Sequence, residues 1–242
     1  MNPERLIVVV LADHLYSANR IWQGIRDIPN VDVVLFVCNN RWNAVKFLAA
    51  NAYGCLIKMG VTSTIRLLSD LFTRRVRARL HFSKLSDNLD QLRSLSPDVG
   101  LHAMSVIYRQ NAIDCFRLGI LNPHIGKLPE FRGRSVMEWS LLYGAPTGVT
   151  AFFIDAGIDT GKDILFFREF PVDNFATIDD AKNYLFAQNV WCFREALSRL
   201  ADLSITYQRN DTDKGRRFYV MSDLLKEVVT EILTGDVQNP RG

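Results

Sequence analysis

The sequence predicts an α/β fold: a mostly parallel sheet with helices on both faces, plus a short C-terminal α/β extension. Three observations carry this. The β-branched runs LIVVVLA (6–12) and VDVVLFVC (31–38) are continuously apolar, as in strands covered on both faces. Segments with helical spacing stand between such runs. Strands alternating with helices imply right-handed crossovers and hence a parallel sheet. With 242 residues, 48% of them hydrophobic, the chain can bury one full core and a small annex.

The elements follow in order. SANRIWQGIRDI (17–28) is a helix, and NAVKFLAANAYG (43–54) is a second one closed by its glycine. TSTIRLLSDLFTRR (62–75) is a third, with Thr62 or Ser63 near its cap. SDNLDQLRSL (86–95) and QNAIDCF (110–116) are helical, while VGLHAM (99–104) and LGILN (118–122) are strands. GVTAFFID (148–155) and DILFFREF (163–170) form two later strands. Residues 177–200 make one long amphipathic helix capped by Thr177. The tail offers a strand, LSITY (203–207), and a helix, DLLKEVVTEIL (223–233). The expected division is a catalytic domain over residues 1–172 and a helix with a small α/β tail over 173–242. LSITY and RRFYVM (216–221) pair either within the chain or across a homodimer.

Charge and cysteine usage narrow the class. A net charge of +3 gives no argument for a nucleic-acid partner. The four cysteines show no CxxC pair, so no metal is expected and a reducing compartment is the simplest reading. No apolar run reaches the roughly 18 residues of a membrane span. MNPERLIVVVLADH reads as a first buried strand and not as a leader, which points to a cytoplasmic protein. TRRVRARL (73–80) reads first as a solvated stretch and second as a diphosphate-contacting patch. His81 and His102 are assigned to structure.

Two polar clusters interrupt this pattern. In LNPHIGKLPEFRGR (121–134), Pro123 pushes Asn122 into an extended conformation. Residues two apart then face the same way, so Asn122 and His124 project together from a strand end. FIDAGIDTGKD (153–163) returns Asp159 toward the same edge through a glycine-containing turn. Amide, imidazole and carboxylate together suit acyl transfer. Asn122 and a protonated His124 can hydrogen-bond a developing oxyanion, and Asp159 can orient His124. No serine or cysteine with a base partner stands nearby, so direct transfer is favoured over a covalent acyl-enzyme. A plain surface loop and a plain hairpin turn remain open for the two clusters.

Asn-x-His, Leu-Pro, a glycine loop, GVT and an Asp-Thr-Gly turn, in this order, resemble the 10-formyltetrahydrofolate-dependent formyltransferases. The match runs from about residue 98 to 168, and residues 1–97 follow as a Rossmann-like pattern. The resemblance implies transfer of a formyl group from 10-formyltetrahydrofolate, with no metal, to a primary amine. Asn122 would bind the formyl oxygen, His124 would stabilise the oxyanion, and Asp159 would hold His124 and relay a proton. The amine must arrive uncharged, so activity should fall at acid pH. Met104, Ser105, Val106, Ile107 and Tyr108 would form one wall of the folate pocket. Asp155, Ala156, Gly157 and Ile158 would form the other.

Departures are informative. Many members carry serine where this chain has Gly126, and often histidine where Phe152 stands. The long C-terminal β-barrel by which methionyl-tRNA formyltransferases hold tRNA has no counterpart in residues 173–242. EFRGRSVMEWSLLYG is most similar to the sugar N-formyltransferases. The expected acceptor is therefore a small-molecule amine, first of all a nucleotide-linked amino sugar. His14, Tyr16, Asn19, Arg132 and Trp139 are its candidate contacts, by position. Alternatives are transfer to an amino acid or another natural-product amine, hydrolysis of the formyl-folate, and folate binding without catalysis. Hydrolases of this type carry an extra N-terminal regulatory domain, whereas this chain starts at its first strand.

Overall fold

The computed structural model describes residues 5–39, 44–161, 163–173 and 175–235. The chain forms two compact units, Met1–Leu121 with Leu197–Ser204, and Asn122–Ala196 with Ile205–Gly242.

Unit 1 holds β1 (Leu6–Ala12), α1 (Leu15–Ile25), β2 (Val31–Cys38), α2 (Ala44–Tyr53), α3 (Val61–Phe72), β3 (Arg77–His81), α4 (Leu89–Arg93), β4 (Val99–Ala103) and α5 (Gln110–Ile113). It also holds the first half of β5 (Gly119–His124). Its strands run in the order β3-β2-β1-β4-β5, and each neighbouring pair is parallel. Val8 to Leu11 are fully buried, which is why this run carries no polar residue. α1 turns Leu15, Ala18, Ile21, Trp22 and Ile25 inward at helical spacing. The strand order reverses between β1 and β4, where open α/β sheets bind ligands. There the Ser105 N–H donates to Asp13 Oδ2 at 2.6 Å.

Unit 2 takes the end of β5 and adds β6 (Phe131–Gly133), α6 (Val136–Leu142), β7 (Gly148–Phe153), β8 (Asp163–Glu169) and α7 (Ile178–Ala187). α8 (Asn189–Ala201) starts in this unit, and β9 (Gln208–Arg209), β10 (Arg216–Phe218) and α9 (Asp223–Thr234) complete it. β7-β8-β9 is an antiparallel ribbon, and β6 pairs with β10 in parallel. Its core packs Met137 and Leu141 of α6 against Ala181 and Leu185 of α7 and Val229 and Leu233 of α9.

The predicted α/β class with a mostly parallel sheet holds, and several local expectations change. The helix expected over 17–28 spans Leu15–Ile25. Asn43 lies outside the described residues. Gly54 does not close α2 but begins a π-helical turn, Gly54–Met59. α3 is capped by Gly60, itself at φ +81°, and Thr62 and Ser63 fall in the first turn, near that cap. The helix expected over 177–200 breaks between α7 and α8, although Thr177 does cap it by accepting from the Asp180 N–H at 3.1 Å. LSITY is not a strand; β9 follows it, and RRF pairs with β6 instead. TRRVRARL contains β3, whose side chains are mostly exposed, with Arg77 3.8 Å from Asp32.

Candidate active site

β5 runs two residues further than the sequence suggests, through Pro123 to His124. Asn122 and His124 therefore share one extended frame and one face. Asn122 is half-buried, and its amide makes no hydrogen bond among the described residues. His124 is buried, with its ring edge-on to Phe152 at 6.4 Å.

Both imidazole nitrogens of His124 face oxygen atoms. Nε2 lies 2.8 Å from the Phe131 carbonyl oxygen. Nδ1 lies 3.5 Å from Asp159 Oδ1. A carbonyl and a carboxylate can only accept, so a ring with both N–H groups present satisfies the pair. The other carboxylate oxygen, Asp159 Oδ2, accepts from the Gly133 N–H at 2.8 Å. The three residues of β6 thus tie down both members: a carbonyl for His124 at one end, an amide for Asp159 at the other.

β6 is too short to hold itself, and its support comes from the C-terminal segment. Arg216, Arg217 and Phe218 pair with Phe131, Arg132 and Gly133. The Phe131 and Phe218 rings stack with centroids 5.3 Å apart. Gly133 sits at φ +103°, and an added Cβ would lie 2.2 Å from the Phe218 carbonyl oxygen. Asp159 is also in the left-handed region, at φ +53°, where aspartate is tolerated better than most residues. Its carbonyl accepts from Asn210 Nδ2 at 3.1 Å, and the same amide donates to the Gly161 carbonyl at 2.8 Å. Asn210 is buried.

The remaining predicted residues divide into two groups. In unit 1, Met104 and Tyr108 are buried and Ile107 is exposed. The Tyr108 hydroxyl and His102 Nδ1 are 3.0 Å apart, which gives His102 a structural partner. Val106, Ile107 and Tyr108 line a cavity of about 330 Å³, an apolar wall suited to an aromatic ring. His14 stacks on Tyr16 at 5.2 Å, and Asn19 is buried with Nδ2 3.9 Å from Met59 Sδ. In unit 2, Asp155 Oδ1 accepts from the Gly157 N–H at 2.9 Å and from Thr160 Oγ1 at 2.7 Å, so its loop is closed on itself. Arg132 Nη2 donates to the Thr212 carbonyl at 3.0 Å, and Trp139 Nε1 to the Tyr219 carbonyl at 2.9 Å. Both hold the C-terminal segment.

A cavity of about 430 Å³ in unit 2 is lined by Asn122 and His124 together with Glu138, Lys182 and Lys226. Sequence reading missed these three. The available signal was a glutamate among apolar residues, in VMEW, on a helix. Asn210 and β6 were missed as well, and neither carries a motif. Among the described residues no group of three or more His, Cys, Asp or Glu could hold a metal ion. No described helix is long and apolar enough to cross a membrane.

Known proteins resemble this chain along most of its length. The family model described as formyl transferase matches residues 7–197. A methionyl-tRNA formyltransferase from Geobacter sulfurreducens is 36% identical over 88 residues, which is 36% of this chain and 27% of that protein. The chain therefore spans well under two thirds of that relative. The crystal structure of a 4-N formyltransferase from Francisella tularensis superimposes with a TM-score of 0.63 at 15% identity, covering 95% of this chain and 88% of that one. The N-formyltransferase from Helicobacter canadensis, in complex with folinic acid and dTDP-3-aminofucose, has a TM-score of 0.52 at 15% identity, covering 89% and 70%. At these identities the two structures show a shared fold.

Proposed function

This chain belongs to the formyl transferase family, and on that premise we propose that it is an N-formyltransferase using 10-formyltetrahydrofolate. The observation that carries this is the trio of unit 2: an uncommitted amide at Asn122 beside an imidazole held between two acceptors, one of them Asp159.

Bound 10-formyltetrahydrofolate supplies the formyl carbon. Val106 and Ile107, with their adjoining backbone, would hold its ring. Asn122 Nδ2 donates to the formyl oxygen as that oxygen gains charge. His124 sits beside it with its ring held between the Phe131 carbonyl and Asp159, so the ring cannot swing away. Asp159 is a positioning residue for His124. Through water, the Asp159 carboxylate would take the proton that the amine sheds as its nitrogen bonds to the formyl carbon, and return it to the folate nitrogen as the old C–N bond breaks. The four cysteines are buried, so none is offered as a nucleophile.

The acceptor we favour is a nucleotide-linked amino sugar. Support comes from the Helicobacter canadensis complex, whose ligand is such a molecule. The protein would act as a soluble enzyme in the cytoplasm. The test is a screen of amines with 10-formyltetrahydrofolate, following release of tetrahydrofolate by absorbance. Turnover with one amine class names the acceptor. Release without any amine would mean hydrolysis, and no release at all would mean a binding protein. His124→Ala should lower turnover by about 10²–10⁴-fold while folinic acid binding stays within a few-fold. Near-normal turnover would sink the mechanism.

A further inference from the structure

In unit 1, α2, the π-helical turn Gly54–Met59 and α3 present an apolar face to water. Of α3, Leu67 and Asp70 alone are buried. The opposite face carries Val61, Ile65, Leu68 and Phe72, spaced as one helical stripe and between 58% and 91% exposed. An amphipathic helix normally turns its apolar stripe to the core, and α3 turns it to solvent. Val45 and Leu48 on α2 and Leu56 and Ile57 on the turn are exposed as well. The turn packs on both helices, and Thr64 Oγ1 donates to the Cys55 carbonyl at 2.7 Å. With each of these side chains showing on the order of 100 Å², together they exceed the few hundred Å² that a monomeric soluble protein usually leaves in one apolar patch. Apolar groups that face water add nothing to folding, so the core does not account for them.

Charge decides what covers this face. Residues 45–84 hold eight lysines and arginines and one acidic residue, Asp70, in a chain whose net charge is +3. Asp70 is 5% exposed and offers no surface carboxylate. Arg75 and Arg77 lie 4.0 Å from Asp70 and 3.8 Å from Asp32. Lys58, Arg66 and Arg74 are exposed and form no ion pair among the described residues. Lys58 adjoins Ile57, Arg66 adjoins Ile65, and Arg74 stands two residues beyond Phe72. A second copy of the chain would bring this face against itself under two-fold symmetry, cation toward cation, with no acidic residue of the segment to answer. A negatively charged surface with an apolar layer beneath it satisfies both features.

We propose that this face of unit 1 docks on an anionic lipid surface. Val61, Ile65, Leu68 and Phe72 enter the boundary between headgroups and acyl chains, while Lys58, Arg66 and Arg74 meet the headgroup phosphates. Lasting attachment takes two such signals, because apolar insertion or basic charge alone binds weakly. The attachment is peripheral and reversible, and no described helix is long and apolar enough to cross a membrane. The inference does not rest on formyl transfer: none of these residues belongs to the trio or to its supports.

The test is co-sedimentation of the full chain with vesicles of phosphatidylglycerol and phosphatidylcholine in equal parts, and with vesicles of phosphatidylcholine alone. The mixed vesicles should bind the protein about ten-fold more tightly, and raised salt should reverse most of that gain. The double variant Ile65→Ser, Phe72→Ser should weaken binding to the mixed vesicles about ten-fold or more. Arg66→Gln should weaken it about five-fold. All three positions are exposed, so Tm should stay within about 2 °C of the parent and any formyl transfer should be unchanged. Absence of binding to the mixed vesicles, equal binding to the neutral ones, or full binding by the double variant would overturn the proposal. A dimer in light scattering that the double variant converts to monomer, with no vesicle binding by either, would assign the face to a second copy instead.

Discussion

Gly60 in unit 1 and Gly133 in unit 2 both hold positive φ, at +81° and +103°. Around Gly60 an added Cβ meets nothing within 4 Å; at Gly133 it would press on the Phe218 carbonyl at 2.2 Å. Gly60 serves its own helix, as the cap of α3. Gly133 serves a contact with a strand that the chain makes much later. The same contrast runs through the two units. Neighbouring elements in unit 1 follow one another as strand and helix, and their side chains report their own burial. In unit 2 the candidate site is assembled from β5, β6, the Asp159 turn, Asn210 and β10, each of which is uninformative alone.

That contrast can be broken at Gly133. Gly133→Ala should cost about 2–4 kcal/mol and open the β6–β10 pairing, with loss of formyl transfer, whereas Gly60→Ala should cost about 1 kcal/mol. Thermal unfolding of the two variants decides it, and equal losses would erase the distinction. Asn210→Ala comes next. It removes two buried hydrogen bonds from the turn that carries Asp159, an expected loss of about 1–3 kcal/mol. If Asn210 positions Asp159, kcat falls about ten-fold with KM for the folate little changed, and Asn210→Asp restores less than half of it because a carboxylate cannot donate. A uniform fall in folded protein with normal kcat would make Asn210 purely structural.

Gly126→Ser is milder. Its Cβ would sit 3.0 Å from His124 Nε2 and 3.0 Å from Val136 Cγ2, tighter than ordinary contact. The His124 ring or the Val136 side chain must give by a few tenths of an ångström. A drop of about 2–4 °C in Tm and a few-fold lower kcat are expected. An unchanged kcat would show that the His124 ring has room to move. The smallest effect is expected in unit 1 at Cys38, where burial, helped by Asp13 and Asp87, pushes the thiol up to about 12. At a pH of about 8 almost no thiolate exists, so iodoacetamide should leave the native protein unlabelled at Cys38 by mass spectrometry. Rapid labelling there would show that unit 1 opens more readily than its core implies.

Several features were legible because they are local. β1 and β2 announce themselves by uninterrupted apolar runs, and Thr177 by an acidic residue three places on. Asn122 and His124 were readable because Pro123 constrains the backbone between them. β3 was not, since RARLH lies at the sheet edge with mostly exposed side chains, and its pairing with β2 uses backbone groups that every residue has. LSITY has strand-like residues but pairs with no strand among the described residues, and propensity without a partner does not make a sheet.

The sequence by itself determined the alternating α/β order, the apolar interior of unit 1 and the chemistry available at Asn122, His124 and Asp159. These depend on side-chain type and short-range periodicity. Only the tertiary structure decided that a three-residue strand holds His124 and Asp159 at once, that the C-terminal segment braces it, and that Glu138 pairs with Lys182 in the lining of a cavity. Each of those is a meeting of residues far apart in the chain. It is settled by which backbone and side-chain groups remain to be satisfied once the core has closed.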